Sequence, residues 1–209
     1  MTRTQRIGIY GGTFDPIHIG HLAIAEESRH ALGLDYVIFV PASRQPLKAD
    51  FQGALPAQRL AMVGLACAGN PQFIASDIDL RRPPPSYTVD TLAALRAETD
   101  PADDLVFILG TDAARDFPRW YRAAEMLRLV RLAIVGRPGY HLNVAQLEAD
   151  LPGIGERCTL ITGPRLDVSS SELRARLVSN RPTRYQIPDP VLAYIAAHGL
   201  YREYEHGHS

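Results

Sequence analysis

Cysteine is scarce in this chain. Only Cys67 and Cys158 occur in 209 residues, and no Cys-x-x-Cys pair is present. A disulfide framework is thereby excluded, and both residues are expected to pack as small apolar groups in a reducing compartment. Charge of one sign is also missing, since 22 basic against 23 acidic residues leave a net charge of −1. That balance offers no global attraction to nucleic acid or to an anionic membrane, so neither partner is expected and any phosphate binding has to be local. No apolar run approaches the roughly 18–20 residues of a membrane span. Residues 1–6 lack the apolar core of a signal peptide, and a cytoplasmic location is expected. Lysine and tryptophan occur once each, as Lys48 and Trp120.

What is present is ordinary globular sequence, long enough to bury a full core without crosslinks. Short apolar runs at 6–10, 36–41, 72–75, 104–109, 131–135 and 158–161 read as strands. Helical patterns fall between and after them, at 19–32, 56–68, 88–98, 121–129, 144–150, 170–177 and 189–197. Strand alternating with helix predicts an α/β fold, a Rossmann-like doubly wound parallel sheet with helices on both faces and a small C-terminal helical part. One domain is expected over residues 1–202, with a polar tail at 203–209. Ligands in such sheets bind beyond the carboxyl ends of the strands. Two long loops, 43–55 and the proline-rich 79–86, are candidates for function on length alone.

The tract Gly11-Gly12-Thr13-Phe14-Asp15-Pro16-Ile17-His18-Ile19-Gly20-His21 follows the first apolar run directly. Glycines after a strand let backbone approach a phosphate closely. Histidines three apart at a helix start project to one side, where both can serve one anion. Near the other end, Val168-Ser169-Ser170-Ser171-Glu172-Leu173-Arg174 opens a helix. Serines and an acid there are good helix caps. Three hydroxyls, free backbone donors and Arg174 on the first turns also make an anion cradle.

The first tract resembles the nucleotidyltransferase signature, and the second resembles that superfamily's Ser-Ser-Thr-x-x-Arg motif, with Ser171 where threonine is common. The resemblance implies that His18 and His21 polarise the phosphate under attack. It implies that the second motif wraps the β- and γ-phosphates of ATP. Further segments narrow the family: Pro85-Ser86-Tyr87-Thr88, Gly110-Thr111-Asp112, Phe117-Pro118-Arg119-Trp120-Tyr121, Arg137-Pro138-Gly139-Tyr140, Ile187-Pro188-Asp189-Pro190-Val191 and His198-Gly199-Leu200-Tyr201. In this order, over roughly residues 6–202, the series is similar to bacterial nicotinate-nucleotide adenylyltransferases. Those enzymes join nicotinate mononucleotide to the AMP part of ATP and release pyrophosphate in NAD biosynthesis.

That resemblance implies site residues. His18, His21, Lys48 and Arg174 form the catalytic set. Gly11, Gly12, Thr13, Phe14, Gly110, Asp112, Ser169 and Ser170 join His18, His21 and Arg174 around ATP. Ser43, Lys48, Tyr87, Thr88, Trp120, Tyr121 and Arg137 take the nicotinate nucleotide. Each has a plainer reading as well. Asp112 and Thr88 are also candidate helix N-caps, Trp120 a core residue, and Lys48 and Arg137 solvated loop charges. Where the family often reads Pro-Pro-His-Lys, this chain has Gln45-Pro46-Leu47-Lys48, so no histidine role falls on Leu47. Mg²⁺ is expected to arrive on the ATP phosphates, because it needs few protein ligands. No dedicated protein metal site is expected, since two histidines fall short of a zinc ligand set. Other acceptors, nicotinamide mononucleotide or phosphopantetheine, stand as alternatives within the chemistry. An aminoacyl-tRNA synthetase is disfavoured by the absence of a Lys-Met-Ser-Lys-Ser segment, and a non-catalytic nucleotide sensor by the intact motifs. A homo-oligomer is compatible with the sequence, which gives no handle on interface faces.

Overall fold

The computed structural model describes residues 3–43, 53–136 and 142–202. Strand β1 (Arg6–Gly12) lies near the middle of one six-stranded sheet. β2 (Tyr36–Pro41) and β3 (Phe73–Ala75) extend it to one side. β4 (Asp104–Gly110), β5 (Arg131–Gly136) and β6 (Cys158–Thr162) extend it to the other. Every pairing is parallel, with Ile9 opposite both Ile38 and Phe107. The order β3-β2-β1-β4-β5-β6 is the doubly wound order, and it opens a crevice where the winding reverses, at β1 and β4.

The residues of each strand alternate between two cores. Ile7, Ile9, Leu105, Phe107, Leu132 and Ile134 join one cluster. Tyr10, Val37, Phe39, Val106, Ile108 and Val135 join the other. Helices α1 (Ile19–Leu32) and α2 (Pro56–Cys67) cover the second face. The first is covered by α3 (Thr88–Glu98), α4 (Thr111–Asp116), α5 (Ala123–Leu129), α6 (Val144–Asp150) and α7 (Ile154–Arg157). Helices α8 (Ser170–Val178) and α9 (Asp189–Ala197) return the chain to the second face through Leu173, Val191 and Ile195. A strand apolar on both sides is stable only when both sides are covered, so the near-continuous apolar runs and the two helical layers are one fact.

Helix ends follow local chemistry. Gly33 closes α1 in the left-handed region at φ 59°, its N–H reaching the carbonyls of Arg29 and His30. Pro56 starts α2 where its missing N–H costs nothing. Three expectations are corrected. The segment after β4 is helical at once, as α4, with Gly110 at its N-cap and Asp112 in its first turn rather than at the cap. Tyr87, not Thr88, is the N-cap of α3, and Thr88 is the first helical residue. The helix expected from residue 121 starts at Ala123, because a 3₁₀ turn (Phe117–Arg119) and left-handed Arg122 (φ 56°) intervene.

Close packing makes one glycine indispensable at the sheet's edge. A Cβ on Gly163, just after β6, would lie 2.7 Å from Val135 Cγ1 and 3.1 Å from the Gly136 carbonyl oxygen. On Gly64, inside α2, it would meet nothing within 4 Å. Gly163→Ala is therefore expected to destabilise by roughly 1–3 kcal/mol. Gly64→Ala is expected to stabilise by about 0.5–1 kcal/mol. Urea unfolding of both variants checks the opposite signs, and equal shifts would contradict the packing described.

Candidate active site

The first motif leaves β1 at the crevice. Gly12 accepts the N–H of Ala42 at 2.8 Å, which carries the sheet pairing one step past the strands. A Cβ at Gly12 would stand 2.9 Å from the ring of Phe14. With glycine there, Phe14 turns back at φ 49° and buries its ring against Tyr10, Phe39 and His21, with centroids 5.5, 5.8 and 5.1 Å away. Phe14 is 2% exposed, so its side chain supports His21 from below.

His18 and His21 open α1. Their rings stack at 3.7 Å, and the His18 backbone N–H donates to His21 Nδ1 at 3.2 Å. That bond makes Nδ1 an acceptor, so the proton of the neutral His21 ring sits on Nε2. Gly20 is the gap that admits the arrangement, since a Cβ there would press on the His18 ring at 3.0 Å. Burial lowers the His18 pKa to about 4. Burial, and then the proximity of His18, hold His21 well below the usual range. Two neutral imidazoles thus sit side by side at a helix N-terminus, where the helix dipole favours an anion.

The second motif is bonded to the first. Ser169 caps α8 by accepting the Glu172 N–H at 3.2 Å. The Ser170 hydroxyl donates to the Pro16 carbonyl at 2.9 Å. Arg174 Nη1 donates to the Asp15 carbonyl at 2.6 Å, and Nη2 to the Ser171 hydroxyl at 3.4 Å. Segments more than 150 positions apart in sequence (|i−j| of 154 and 159 for these two bonds) therefore form one wall. Between them lies a cavity of about 310 Å³, bordered by His18, His21, Ser169 and Ser170 on its polar side. Ile24, Val135, Leu166 and Val168 form its apolar side.

Beneath this wall sits a buried polar knot that sequence reasoning missed. The Asp15 carboxylate, 1% exposed as a residue, accepts the Ala54 N–H at 3.0 Å and the Tyr201 hydroxyl at 2.6 Å. Arg174 lies 3.6 Å from its other oxygen. Arg59 donates to the carbonyls of Thr13, Ala42, Ser43 and Ala54 at 2.7, 2.7, 3.0 and 3.2 Å. Burial, then the neighbouring Asp15, raises the Tyr201 pKa.

A second cavity of about 90 Å³ lies across β1 from the first: Ile9, Gly11 and Gly12 border it, whereas Tyr10 of the same strand borders the first. Thr88 and Trp120 line it, as do Asp79 and Ser86. Trp120 is half-buried against Phe107 and Phe117, with centroids 6.3 and 5.4 Å away, and forms a flat wall. Tyr87 and Tyr121 pair nearby at 4.5 Å, the latter 56% exposed. Asp112 projects into solvent on α4, 3.6 Å from Arg115, while Gly110 before it faces open space. The Ser43 N–H is bound to Asp79 at 2.7 Å. Lys48 and Arg137 lie outside the described residues. Among the described residues no three His, Cys, Asp or Glu side chains are grouped to hold a metal ion, and no helix is long and apolar enough to cross a membrane.

A family model described as cytidylyltransferase-like matches residues 9–176. A protein of Roseiflexus sp. (strain RS-1) named "Probable nicotinate-nucleotide adenylyltransferase" is 54% identical over 196 residues, 94% of this chain and 98% of its own. One of the same name from Thermomicrobium roseum is 43% identical over 201 residues, covering 96% of this chain and 94% of its own. Among solved structures, Plasmodium falciparum nicotinic acid mononucleotide adenylyltransferase complexed with NaAD superimposes with a TM-score of 0.76. At 21% identity, over 94% of this chain and 97% of that one, it shares the fold.

Two outcomes follow from the buried groups. Tyr201→Phe keeps the ring and removes the donor to Asp15, so a loss of about 1–3 kcal/mol in urea unfolding is expected. An unchanged midpoint would mean that the bond is not made in solution. His18 stays neutral in the fold down to about pH 4. An unfolded histidine protonates near pH 6.5, so only the unfolded chain gains a proton between those values. Stability is intact above about pH 6.5 and falls on acidification, by up to about 3 kcal/mol for this group. His18→Gln is expected to flatten that part of the stability profile, and an equal slope in both proteins would show that His18 protonates normally when folded.

Proposed function

The chain belongs to the nicotinate-nucleotide adenylyltransferase family, and from that premise we propose that it joins nicotinate mononucleotide to the AMP part of ATP and releases pyrophosphate, a step of NAD biosynthesis. The observation that carries this reading is the paired His18 and His21 at the mouth of α1, bordering the larger cavity on a turn that Ser170 and Arg174 of α8 bind through Pro16 and Asp15.

ATP occupies the larger cavity in this proposal. The triphosphate lies along Gly11–Thr13, the N-terminus of α1 and Ser169–Ser170. The apolar side next to Leu166 and Val168 takes the base, and Asp112 beyond Gly110 takes a ribose hydroxyl. The mononucleotide occupies the smaller cavity, its ring against Trp120. Thr88, Tyr87 and Tyr121 border the ring, and Ser43 and Arg137 serve its polar groups. An oxygen of the mononucleotide 5′-phosphate attacks the α-phosphorus. The bond to the β-phosphate bridging oxygen breaks in line, and pyrophosphate leaves with the electron pair. The nucleophile is already an anion, so no general base is required. Neutral imidazoles suit this, since each gives an N–H to the oxygens where charge gathers and neither has to accept a proton. Arg174 adds its charge from behind the Asp15–Pro16 turn that it braces, and Lys48 adds another from its loop.

Neutral His18 and His21 and the hydroxyls of Ser169 and Ser170 leave most of a triphosphate's charge uncancelled on this border, so a divalent cation fits the site as a passenger on the phosphates. We assign it as Mg²⁺, which would sit beside the Ser169 and Ser170 hydroxyls of this border. When bound it neutralises the triphosphate and the leaving pyrophosphate.

Pyrophosphate release from Mg-ATP is to be measured with nicotinate mononucleotide and, in parallel, with nicotinamide mononucleotide. Preference for the acid is the expected result. Equal use of both keeps the chemistry but removes acid selectivity from Tyr87, Thr88 and Trp120. Release with neither, from protein that binds ATP, overturns the assignment. His21→Ala is expected to lower kcat on the order of 10²–10³-fold. A near-normal kcat would rule out the imidazole pair as charge stabilisers.

A further inference from the structure

Asp79 is a buried carboxylate that the proposed reaction does not use. It follows β3 at the head of the proline-rich loop and is 3% exposed. Its two oxygens serve three different segments. One accepts the Ser43 N–H at 2.7 Å, from the chain just past β2. The other accepts the Thr91 hydroxyl on α3 at 2.6 Å and pairs with the Arg82 guanidinium. Arg82 also donates to Thr91 at 2.6 Å, so these three side chains close a ring. Arg82 Nη1 is buried with no hydrogen-bond partner among the described residues, so Asp79 and Thr91 are what hold this side chain. Burial alone would raise the Asp79 pKa, but the bonds from Thr91, the Ser43 N–H and Ser86, with the Arg82 charge, hold it below the usual value.

The segments joined here are the walls of the smaller cavity. Ala42 stands on one side of it, Ser86, Thr88 and Thr91 on the other, and Asp79 between them. The larger cavity has none of these residues on its border. We propose that Asp79 is a positioning residue for the acceptor: it fixes the separation of the Ala42–Ser43 edge from the Ser86–Thr91 edge and so sets the fit of the mononucleotide ring beside Trp120. The inference rests on placing the mononucleotide in this cavity, as above.

The chemistry of Asp79→Asn makes the test sharp. An amide offers one acceptor oxygen and one N–H₂ donor where the carboxylate offers two acceptors. In either orientation the amide nitrogen faces a donor. If it faces Ser43, the backbone N–H loses its acceptor. If it faces Arg82, two N–H donors meet and only the Thr91 hydroxyl can rotate to compensate, while Arg82 loses its counter-charge in both orientations. One edge of the cavity is released in both cases.

Steady-state kinetics of wild type, Asp79→Asn and Asp79→Glu would vary each substrate in turn, with calorimetric titration of nicotinate mononucleotide in the absence of ATP. For Asp79→Asn the KM for the mononucleotide is expected to rise about 10-fold or more, with calorimetric affinity falling in parallel and the KM for ATP within about 2-fold of wild type. Asp79→Glu keeps both acceptors and is expected to recover part of the mononucleotide KM. If Asp79→Asn does not fold, Thr91→Val removes one bond of the ring at constant shape and is expected to raise the same KM about 3-fold. A parallel rise in both KM values would mean general loosening and would overturn the proposal. So would an unchanged mononucleotide KM in a wild type that turns over. If wild type itself uses no pyridine mononucleotide, the functional reading fails first and the inference falls with it.

Discussion

A guanidinium taken out of water must find acceptors for its donors, and Arg59 finds them on the backbone of two connections, at both ends of the second. Thr13 follows β1, Ala42 and Ser43 follow β2, and Ala54 precedes α2. Beside it the Asp15 carboxylate gathers the N–H of Ala54 and the hydroxyl of Tyr201. Each such group, left unsatisfied, would cost about 1–3 kcal/mol, and more where it carries charge. The two centres therefore hold four segments in a single arrangement. The turn Thr13–Ile17 has no regular secondary structure of its own. Its shape is imposed from behind by this knot, and from the side by Ser170 and Arg174. Both histidines take their placement from a turn so fixed.

Fixing the histidines by burial has an electrostatic consequence. Imidazoles removed from water lose their charge, and here the loss is helped by stacking one ring on the other. Charge for an anion must then come from elsewhere. On the proposed assignment the α1 dipole, the arginine behind the turn and a cation carried by the phosphates would supply it. The division is coherent for a transfer between two phosphates. Neutral donors can be placed close to the reacting centre at little mutual repulsion, while full charges act from one layer further out.

Much of this was legible in the sequence, and what was not has physical reasons. All six strands were readable from apolar runs: the four inner ones are buried on both faces and leave few polar interruptions, and the edge strands β3 and β6 keep short apolar runs although Ile74 and Leu160 are exposed. The two phosphate motifs were readable because glycine, histidine and serine stand in fixed local spacing, and the structure bonds the two together. Arg59, Asp79 and Tyr201 were not, since their partners are backbone groups or side chains in other segments. An arginine on a helix and an acid before two arginines look like solvated charges until the loops they bind are folded around them. Helix α4 was missed for a different reason: six residues with one buried alanine carry no readable period, and its start comes from β4 ending at Gly110. The late start of α5 is another case, because a left-handed arginine has no signature in composition.

The placement of the two cavities on either side of the end of β1 carries a further implication. The strand ends in two glycines, so the border of the smaller cavity is bare backbone at that point. A bulkier residue there would narrow this cavity or drive into Phe107 or Phe14, whose rings stand 3.3 and 2.9 Å from where a Cβ would be. On the proposed assignment the attacking and attacked phosphates meet across this edge, which has to be thin for their approach to about 3–3.5 Å. The groups that stabilise the transferred charge then belong to the α1 and α8 side, and the groups that recognise the acceptor belong to the α3 and proline-loop side. Since no residue borders both cavities, the acceptor ring can be selected by one wall without altering the phosphate chemistry of the other. A fold whose winding reverses beside one central strand supplies such a division without extra structure, because neighbouring strand ends deliver their loops to opposite sides of the same crevice.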